Sequence, residues 1–560
     1  MGISQSNLAS SGFDYVVAVT QDSINSSLME YLYGGLPEVV LCYIYDSNNN
    51  PTPTGYTQFV ASANNTDPFS VPDGTPSTDP RIQNLNNAAF AFAIKAKLGL
   101  PPGIPPSKLP PIVQLQPGQS NVIYTLLFAE FIATELIFGP RGSVTWFNQA
   151  QPSGTSWSFS GAVNLNLQST SFTNLPAAIQ QQIMQIGSAE MFSVQQLYYY
   201  LNSSNLEQGF QFNNLPSNSQ LNAFMTSDFV NTYWKALGGS EVLGYGATQT
   251  SGVATGSLAV TNLNFFTPNA SGNEGAPLTL NYLCATGGAS LPPTTQANFG
   301  WNWIEPGEVA QYDGVAALNR TAFAAYLSGA LAQYAATNCY SPYVHVYLSG
   351  AIPKYDWSMT DGQSPAVSIP TSGSTLLNLT YTSAQAKDQA GADGDLGRME
   401  LSSSYTLTVS ASGTQMTIVQ HLVIYCYVRH LATSASGNVV DKQITDVYSF
   451  GVNDNGQLTV SAPSSSTVDN SKVPKGNGFL NFWAGVDKIT KDVATWAQSL
   501  VTTNLQDAPV DIARSFVFPG GAPFSFADVS FSGGQDLVSH IVYVSTAATE
   551  QSGASKAVGV

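Results

Sequence analysis

Large apolar residues recur every three or four positions between residues 477 and 505. They are Phe479, Phe482, Trp483, Val486, Ile489, Val493, Trp496 and Leu500. This spacing places them on one side of an α-helix, while Asp487, Lys488 and Lys491 fall on the other side. At about 1.5 Å per residue, the helix would be roughly 40 Å long. The pattern predicts a long amphipathic helix that packs its apolar face against another element.

Apolar and polar residues alternate in the segment that follows, residues 516–544. The turn residues 519–521, Pro-Gly-Gly, interrupt the alternation, which is typical of an antiparallel strand pair. Three more stretches with helical spacing begin near Asp22, Ala177 and Arg320, and runs with a period of two residues separate them. This order of elements predicts an α+β fold in which long helices pack on antiparallel sheets.

Residues 88–98 show the clearest strand pattern in the first half of the chain. Their strict alternation places Phe90 and Phe92 on one face of the predicted strand. Residues 401–409 and 416–429 alternate in the same way and predict a long hairpin in the second half.

Several short blocks resemble a known protein family. They are residues 13–15 (FDY), 89–95 (AFAFAIK), 98–101 (LGLP), 192–197 (FSVQQL), 301–303 (WNW) before 313–314 (DG), and 516–520 (FVFPG) before 536–537 (DL). Together they resemble the forty-seven-kilodalton accessory proteins of neurotoxin and insect-toxin gene clusters, which belong to the tubular lipid-binding (TULIP) superfamily. The resemblance implies two elongated TULIP-like lobes, each a long helix packed on a twisted antiparallel sheet. We assign residues 1–252 to the first lobe and 253–560 to the second, with terminal segments that can interleave.

The charge of the chain limits its partners. Only 9% of the 560 residues are Asp, Glu, Lys or Arg, against about a quarter in an average protein. The net charge is −17, and the 18 lysines and arginines form no run. Binding of nucleic acid requires clustered basic residues, so we expect no nucleic-acid partner. Attachment to an anionic membrane through a polybasic segment is disfavoured for the same reason.

The sequence shows no pattern of a membrane span or a secretory signal. The most apolar run, residues 122–138, contains Glu130 and Glu135 and is too short to cross a bilayer. The first fifteen residues lack the basic and apolar regions of a signal peptide. We therefore expect a protein that is cytoplasmic, or released without a classical signal peptide.

Residues that carry catalysis or bind metals are scarce. The chain has four histidines and lacks the GxSxG, Walker A and GxGxxG motifs. The four cysteines, Cys42, Cys284, Cys339 and Cys426, are far apart and predict buried free thiols. We expect neither an enzyme nor a cofactor or metal site.

The strongest metal candidate is an acidic loop containing Asp388, Asp393 and Asp395, with Glu400 beyond it. Clustered carboxylates can bind calcium, but their spacing does not match an EF-hand. We therefore interpret this segment as a solvated loop.

The resemblance implies an apolar channel for acyl chains between helix and sheet. The predicted ligand-binding residues are Phe482, Trp483, Val486, Ile489, Val493, Trp496, Phe90 and Phe92. For any one of them, ordinary core packing is the simpler alternative. The predicted function is non-enzymatic binding of a lipid or another hydrophobic small molecule. The alternative is a structural or interaction component of a toxin or other secreted complex, with closed lobes and a protein partner.

Overall fold

The structure is a computed structural model that describes most of the chain. The described residues are 2–33, 38–175, 180, 192–200, 211–213, 240–250, 253, 257–269, 275–474, 491–492, 516–517 and 524–543. Most of the predicted amphipathic helix, residues 477–505, therefore lies outside the described residues. Lys491 and Asp492 are described, and both are helical and exposed.

Strands make up most of the described chain. In the first half they are β1 Tyr15–Thr20, β2 Glu38–Tyr45, β3 Pro51–Thr54, β4 Phe90–Leu98, β5 Val113–Leu115, β6 Asn121–Phe138, β7 Val144–Ala150, β8 Ser158–Thr170, β9 Phe192–Tyr200, β10 Gln211–Asn213, β11 Ser240–Gln249, β12 Val260–Phe266 and β13 Thr279–Thr286. In the second half they are β14 Gly314–Leu318, β15 Ser341–Ser349, β16 Ile352–Thr360, β17 Ala366–Ser368, β18 Thr375–Thr382, β19 Ala386–Ala390, β20 Gly397–Ser412, β21 Gln415–His430, β22 Thr433–Val452, β23 Leu458–Val460, β24 Ser464–Asp469, β25 Phe516–Val517, β26 Phe524–Phe526, β27 Ser530–Phe531 and β28 Leu537–Tyr543.

Helices are fewer and shorter. The α-helices with described bounds are α1 Gln21–Tyr33, α2 Tyr56–Ser62, α3 Pro80–Asn87 and α4 Arg320–Ala336. Single 3₁₀ turns occur at Ile3–Gln5, Leu8–Ser10, Pro68–Ser70, Pro106–Lys108, Pro140–Gly142, Phe172–Asn174, Thr294–Ala297 and Ala392–Gly394.

The predicted α+β fold, with a long helix on a twisted antiparallel sheet in each of two elongated lobes, is wrong. The described residues form a mainly β structure, and the longest of its four bounded helices, α4, has 17 residues. The physical reason is that period-two alternation extends much further than the short runs suggested. For example, β20 and β21 have 16 residues each and β22 has 20. The apolar residues of these strands belong to one core cluster, in which helix α4 contributes Phe323, Leu327 and Leu331.

One sheet joins the beginning of the chain to its end. Its order is β12-β13-β1-β14-β28-β26, with β27 also paired to β28, and the pairs are antiparallel. Strand β1 lies in the middle, and all six of its residues are buried. Strands from both predicted lobes therefore share this sheet, as the prediction of interleaved terminal segments allowed. The division at residue 252 itself stays a prediction.

The largest sheet, of 11 described strands, is formed mainly by residues 38–249. Its order is β25-β11-β9-β8-β6-β4-β2-β3, while β10 pairs with β8 and both β5 and β7 pair with β6. The strand predicted at residues 88–98 is confirmed as β4. The short strand β5 reaches α1, where the candidate site lies.

An 8-stranded sheet occupies residues 366–469, in the order β17-β18-β20-β21-β22-β23, with β19 paired to β20 and β24 to β22. The predicted hairpin is confirmed, because β20 and β21 pair from Gly397↔His430 to Ser412↔Gln415. Burial alternates strictly along β20, as expected for a sheet with one face on the core.

Helix α4 packs on this sheet and confirms the helix predicted from Arg320. The side chain of Asn319 caps it by accepting a hydrogen bond from the Thr321 N–H at 2.7 Å. Its buried residues Phe323, Leu327 and Leu331 recur every four positions and belong to the same core cluster as the sheet. This cluster runs from Tyr15 to Ile541, so one core links the sheets.

Candidate functional site

Helix α1 begins immediately after β1, and its first turn is capped by the end of that strand. The Ser23 N–H donates to Oγ1 of Thr20 at 3.2 Å, so the Thr20 side chain caps the helix. Ile24 and Leu28 lie one turn apart, are 0% and 5% exposed, and anchor the helix in the core. The opposite side of α1 is thereby turned outward.

Two amide side chains of α1 attach it to β5. The Asn25 side chain donates to the Val113 carbonyl and accepts from the Val113 N–H, both at 2.8 Å. The Leu115 N–H donates to Oε1 of Gln21 at 2.8 Å. These bonds satisfy backbone groups on the edge of β5 that no described strand covers, and they fix the distance between helix and strand.

A cleft of about 510 Å³ lies between α1 and the proline-rich segment that leads into β5. From α1 it is lined by Gln21, Asp22, Asn25, Ser26 and Met29, and from the segment by Pro106, Ser107, Leu109 and Pro111. Met29 and Leu109 are partly buried and pack against the main core cluster. The cleft therefore combines an apolar wall, continuous with the core, with a polar rim.

The residues predicted to bind the ligand do not line this cleft where the structure describes them. Phe90 is fully buried and packs against Phe59 and Trp146, with ring centroids 5.1 and 5.7 Å away. Phe92 belongs to a different cluster and stacks on Tyr43 at 4.5 Å. The other six, Phe482, Trp483, Val486, Ile489, Val493 and Trp496, lie outside the described residues. Their role in ligand binding stays a prediction.

The sequence reasoning did not find the cleft residues. Met29 follows Leu28 but lies outside the helical spacing of Ile24, Leu28 and Leu32, and Leu109 stands alone between Lys108 and Pro110, so neither forms part of a periodic pattern. Asn25 and Val113 are 88 positions apart, and no local spacing indicates that they are bonded. A weak signal is present in residues 101–111, where prolines hold the chain extended beside a helix with one polar side.

The acidic loop proposed as a metal candidate is folded into a hairpin. Oδ2 of Asp388 accepts the Val346 N–H at 2.7 Å and lies 3.1 Å from Nδ1 of His345. Asp393 and Asp395 are exposed in the turn between β19 and β20. Over the described ranges, no group of three His, Cys, Asp or Glu side chains is placed to hold a metal ion.

Two further histidines are paired with carboxylates, which the sequence alone did not reveal. Nε2 of His421 lies 2.8 Å from Asp441, and Nδ1 of the buried His540 lies 2.7 Å from Asp528. Burial alone would raise the pKa of Asp528, yet its hydrogen bonds from His540 lower that pKa below the usual value. Each pair joins different strands or loops, so the pairing depends on sheet register.

The four cysteines are confirmed as buried free thiols. Burial raises the pKa of Cys42, Cys339 and Cys426 to about 12, and it also raises that of Cys284. Thiolates are the reactive form of cysteine, so burial keeps these side chains unreactive at neutral pH.

The Asp388 pair has a testable pH dependence. The hydrogen bond from the Val346 N–H lowers the pKa of Asp388 below its ordinary value of 3.8. A lowered folded pKa adds stability above the ordinary value, and this stability is lost as pH falls through the folded pKa. Asp388→Asn should therefore have a lower melting temperature than wild type near neutral pH. The difference between the two melting temperatures should become smaller in acid.

Thermal melts followed by circular dichroism between about pH 7 and pH 2.5 measure this difference. Asp361→Asn is the matched control, because Asp361 is exposed. A difference in melting temperature between Asp388→Asn and wild type that stays constant over the whole pH range would contradict the lowered pKa of Asp388.

Within the described part of the chain, no helix has both the length and the apolarity needed to span a bilayer. No family model and no curated protein matches the sequence.

Solved structures do match. The chain is similar to P47 of Clostridium botulinum E1, with a TM-score of 0.42 and 9% identity over 94% of this chain and 98% of that one. It is similar to P47 from Clostridium botulinum A2, with a TM-score of 0.41 and 11% identity over 95% and 97%. A lipopolysaccharide binding protein matches with a TM-score of 0.26 and 10% identity over 95% and 100%. The first two are P47 proteins, the kind of protein that the quoted sequence blocks resemble.

Proposed function

We propose that this protein binds a lipid or another hydrophobic small molecule, without catalysis, in the cleft between α1 and the segment leading into β5. The observation that carries the proposal is the cleft itself, about 510 Å³ in volume, with Met29 and Leu109 on its wall. This volume is within the range of about 300–1,000 Å³ that is common for small-molecule sites. The proposed role is the predicted one, but the ligand lies between α1 and a proline-rich segment and not between the predicted helix and a sheet.

The apolar wall supplies the binding energy. Each methylene group that leaves water contributes about 0.8 kcal/mol, so an acyl chain of several carbons binds without any charged contact. Met29 adds a flexible side chain that adapts to different chain shapes. The wall is preformed, because the bonds from Gln21 and Asn25 to β5 hold it in place. Little ordering is therefore required when a ligand enters.

The polar rim selects the headgroup. Asp22 is exposed at the rim and contributes a carboxylate, and no lysine or arginine lines the cleft. A carboxylate repels an anionic headgroup at close range. We therefore expect neutral or cationic amphiphiles to bind more tightly than anionic fatty acids.

A neutral fluorescent dye tests the site. Nile red should gain emission with the wild-type protein, and Leu109→Trp should weaken its binding at least tenfold, because the indole occupies the cleft. Val367→Trp is the matched control, since Val367 is 52% exposed on the edge strand β17 and is not a lining residue of the cleft. A titration of protein into dye gives the dissociation constant of each variant.

Equal dissociation constants for wild type and Leu109→Trp would contradict the proposal. A loss of binding in both tryptophan variants would place the dye elsewhere on the surface, and would also count against the cleft. Melting temperatures of the two variants close to wild type show that the fold is intact.

The alternative function, an interaction component with a closed interior, is favoured by one surface. The hairpin of β15 and β16 exposes Tyr343, Tyr347, Leu348 and Ile352 at 57%, 40%, 43% and 55%. Tyrosine is enriched at the centre of protein interfaces. If the protein serves only as an interaction component, the dissociation constant for Nile red should be the same for wild type and Leu109→Trp.

A further inference from the structure

A second and larger cavity, of about 730 Å³, lies where the 11-stranded sheet meets the sheet that contains β1. Its walls come from the turn between β5 and β6, from β8 and β12, and from the 3₁₀ turn Thr294–Ala297. It shares no lining residue with the cleft at α1. The function proposed above therefore does not account for it.

The walls of this cavity are held in place by the backbone. The Gly118 N–H donates to the Thr267 carbonyl at 2.9 Å, which fastens the turn to the end of β12. Gly118 has a φ of +72°, and a Cβ there would lie 2.6 Å from Oδ1 of Asn269. Glycine adopts this positive φ without strain. The cavity is thus preformed between two sheets.

The lining carries hydrogen-bonding groups without charge. Its polar side chains are amides and hydroxyls, and they include Gln119, Asn121, Asn164, Asn264, Thr294 and Thr295. No Asp, Glu, Lys, Arg or His is among the lining residues. Most of these amides and hydroxyls are exposed, so a ligand in the cavity can reach them directly.

Apolar side chains form the remainder of the wall. Leu165 is 5% exposed, while Phe265 and Phe266 are 6% and 9% exposed. They offer a small apolar surface beside the amides. A ligand that fits must therefore present hydroxyl or amide groups on one side and C–H groups on another.

This lining distinguishes between classes of ligand. Phosphate and carboxylate ligands require basic side chains, and metal ions require carboxylates, and the cavity has neither. An acyl chain would leave the amides without partners. We propose that the cavity binds a neutral saccharide, whose hydroxyls donate to and accept from amides and whose C–H faces pack on Leu165 and the phenylalanines.

Two probes separate a free saccharide from the headgroup of a glycolipid. Maltotriose and octyl glucoside, the latter below its micelle concentration, are each added to the full chain, and saturation-transfer NMR records contact with the sugar protons. Transfer to maltotriose identifies a site for free saccharides. Transfer to octyl glucoside alone, lost in the cavity variants, identifies a glycolipid headgroup.

Two variants place the binding in the cavity. Thr295→Trp should weaken binding at least tenfold by filling the space, and Thr295 is exposed, so the substitution leaves the core unchanged. Gln119→Ala should weaken it several-fold by removing an exposed amide from the lining. Asn48→Ala, an exposed amide in the turn between β2 and β3, should bind as wild type does.

The proposal is overturned if neither probe receives saturation from the wild-type protein. It is also overturned if Thr295→Trp, with an unchanged melting temperature, binds as tightly as wild type. Neither result depends on whether Nile red binds at Leu109, so this test is separate from that of the cleft at α1.

Discussion

Replacing Asp536 with alanine is expected to lower the free energy of unfolding by about 3–5 kcal/mol. Asp536 is fully buried, and its carboxylate accepts from the Ser6 hydroxyl and the Leu8 N–H at 2.7 Å and from the Arg320 N–H at 3.1 Å. Each buried donor left without an acceptor costs about 1–3 kcal/mol. The loss should be large because all three donors depend on this one side chain.

The Asp536 carboxylate also links distant parts of the chain. Ser6 and Leu8 belong to the N-terminal segment, and Arg320 begins α4. Arg320 is 2% exposed, and its guanidinium donates to the carbonyls of Gly373, between β17 and β18, and of Thr375, the first residue of β18. Loss of Asp536 should therefore loosen the N-terminal segment and the start of α4 together.

Urea unfolding followed by tryptophan fluorescence measures the effect. Asp536→Asn keeps one acceptor oxygen and should lose less stability than Asp536→Ala. Asp361→Ala, at an exposed position, should leave the unfolding midpoint unchanged within error. An unchanged midpoint for Asp536→Ala would show that these hydrogen bonds do not hold the termini.

The second large effect is expected at Phe90. Phe90→Ala should lower the free energy of unfolding by about 3–5 kcal/mol, because it removes a buried ring between Phe59 and Trp146 and leaves a cavity. The exposed Phe138, at 50%, provides the matched control, and Phe138→Ala should cost about 1 kcal/mol or less.

This comparison also tests the predicted ligand role of Phe90. If Phe90 serves the core, its replacement lowers the melting temperature and leaves the affinity for Nile red unchanged once the protein is folded. A normal melting temperature together with lost dye binding would instead place Phe90 in a ligand channel, and would contradict the packing described here.

The sequence predicted the elements whose pattern is local. Helices α1 and α4 and the strands β4, β20 and β21 follow from spacings that are read within one segment. The pairing of β1 with β13 and β14 joins Tyr15 to residues about 270 to 300 positions away, and no local pattern encodes such a register. The prediction of an α+β fold was wrong for this reason, because sheets built from strands that are distant in sequence make up more of the described structure than the helices do.

The candidate sites depend on the same nonlocal pairing. The cleft at α1 depends on the hydrogen bonds between the side chains of Gln21 and Asn25 and the backbone of β5. The larger cavity depends on the hydrogen bond from the Gly118 N–H to the Thr267 carbonyl. The residue types at these positions, amides and glycine, are common in any polar loop. Only the structure shows which of them meet across the sheets.

The most direct test of ligand binding is a native mass spectrum of the protein after incubation with monoolein, a neutral single-chain lipid. We expect a species heavier than the 59.3 kDa chain by the mass of one lipid. This species should be absent from Leu109→Trp and present in Val367→Trp. A spectrum that shows the same lipid adduct in Leu109→Trp as in wild type, or no adduct in any variant, would contradict a ligand site between α1 and the segment leading into β5.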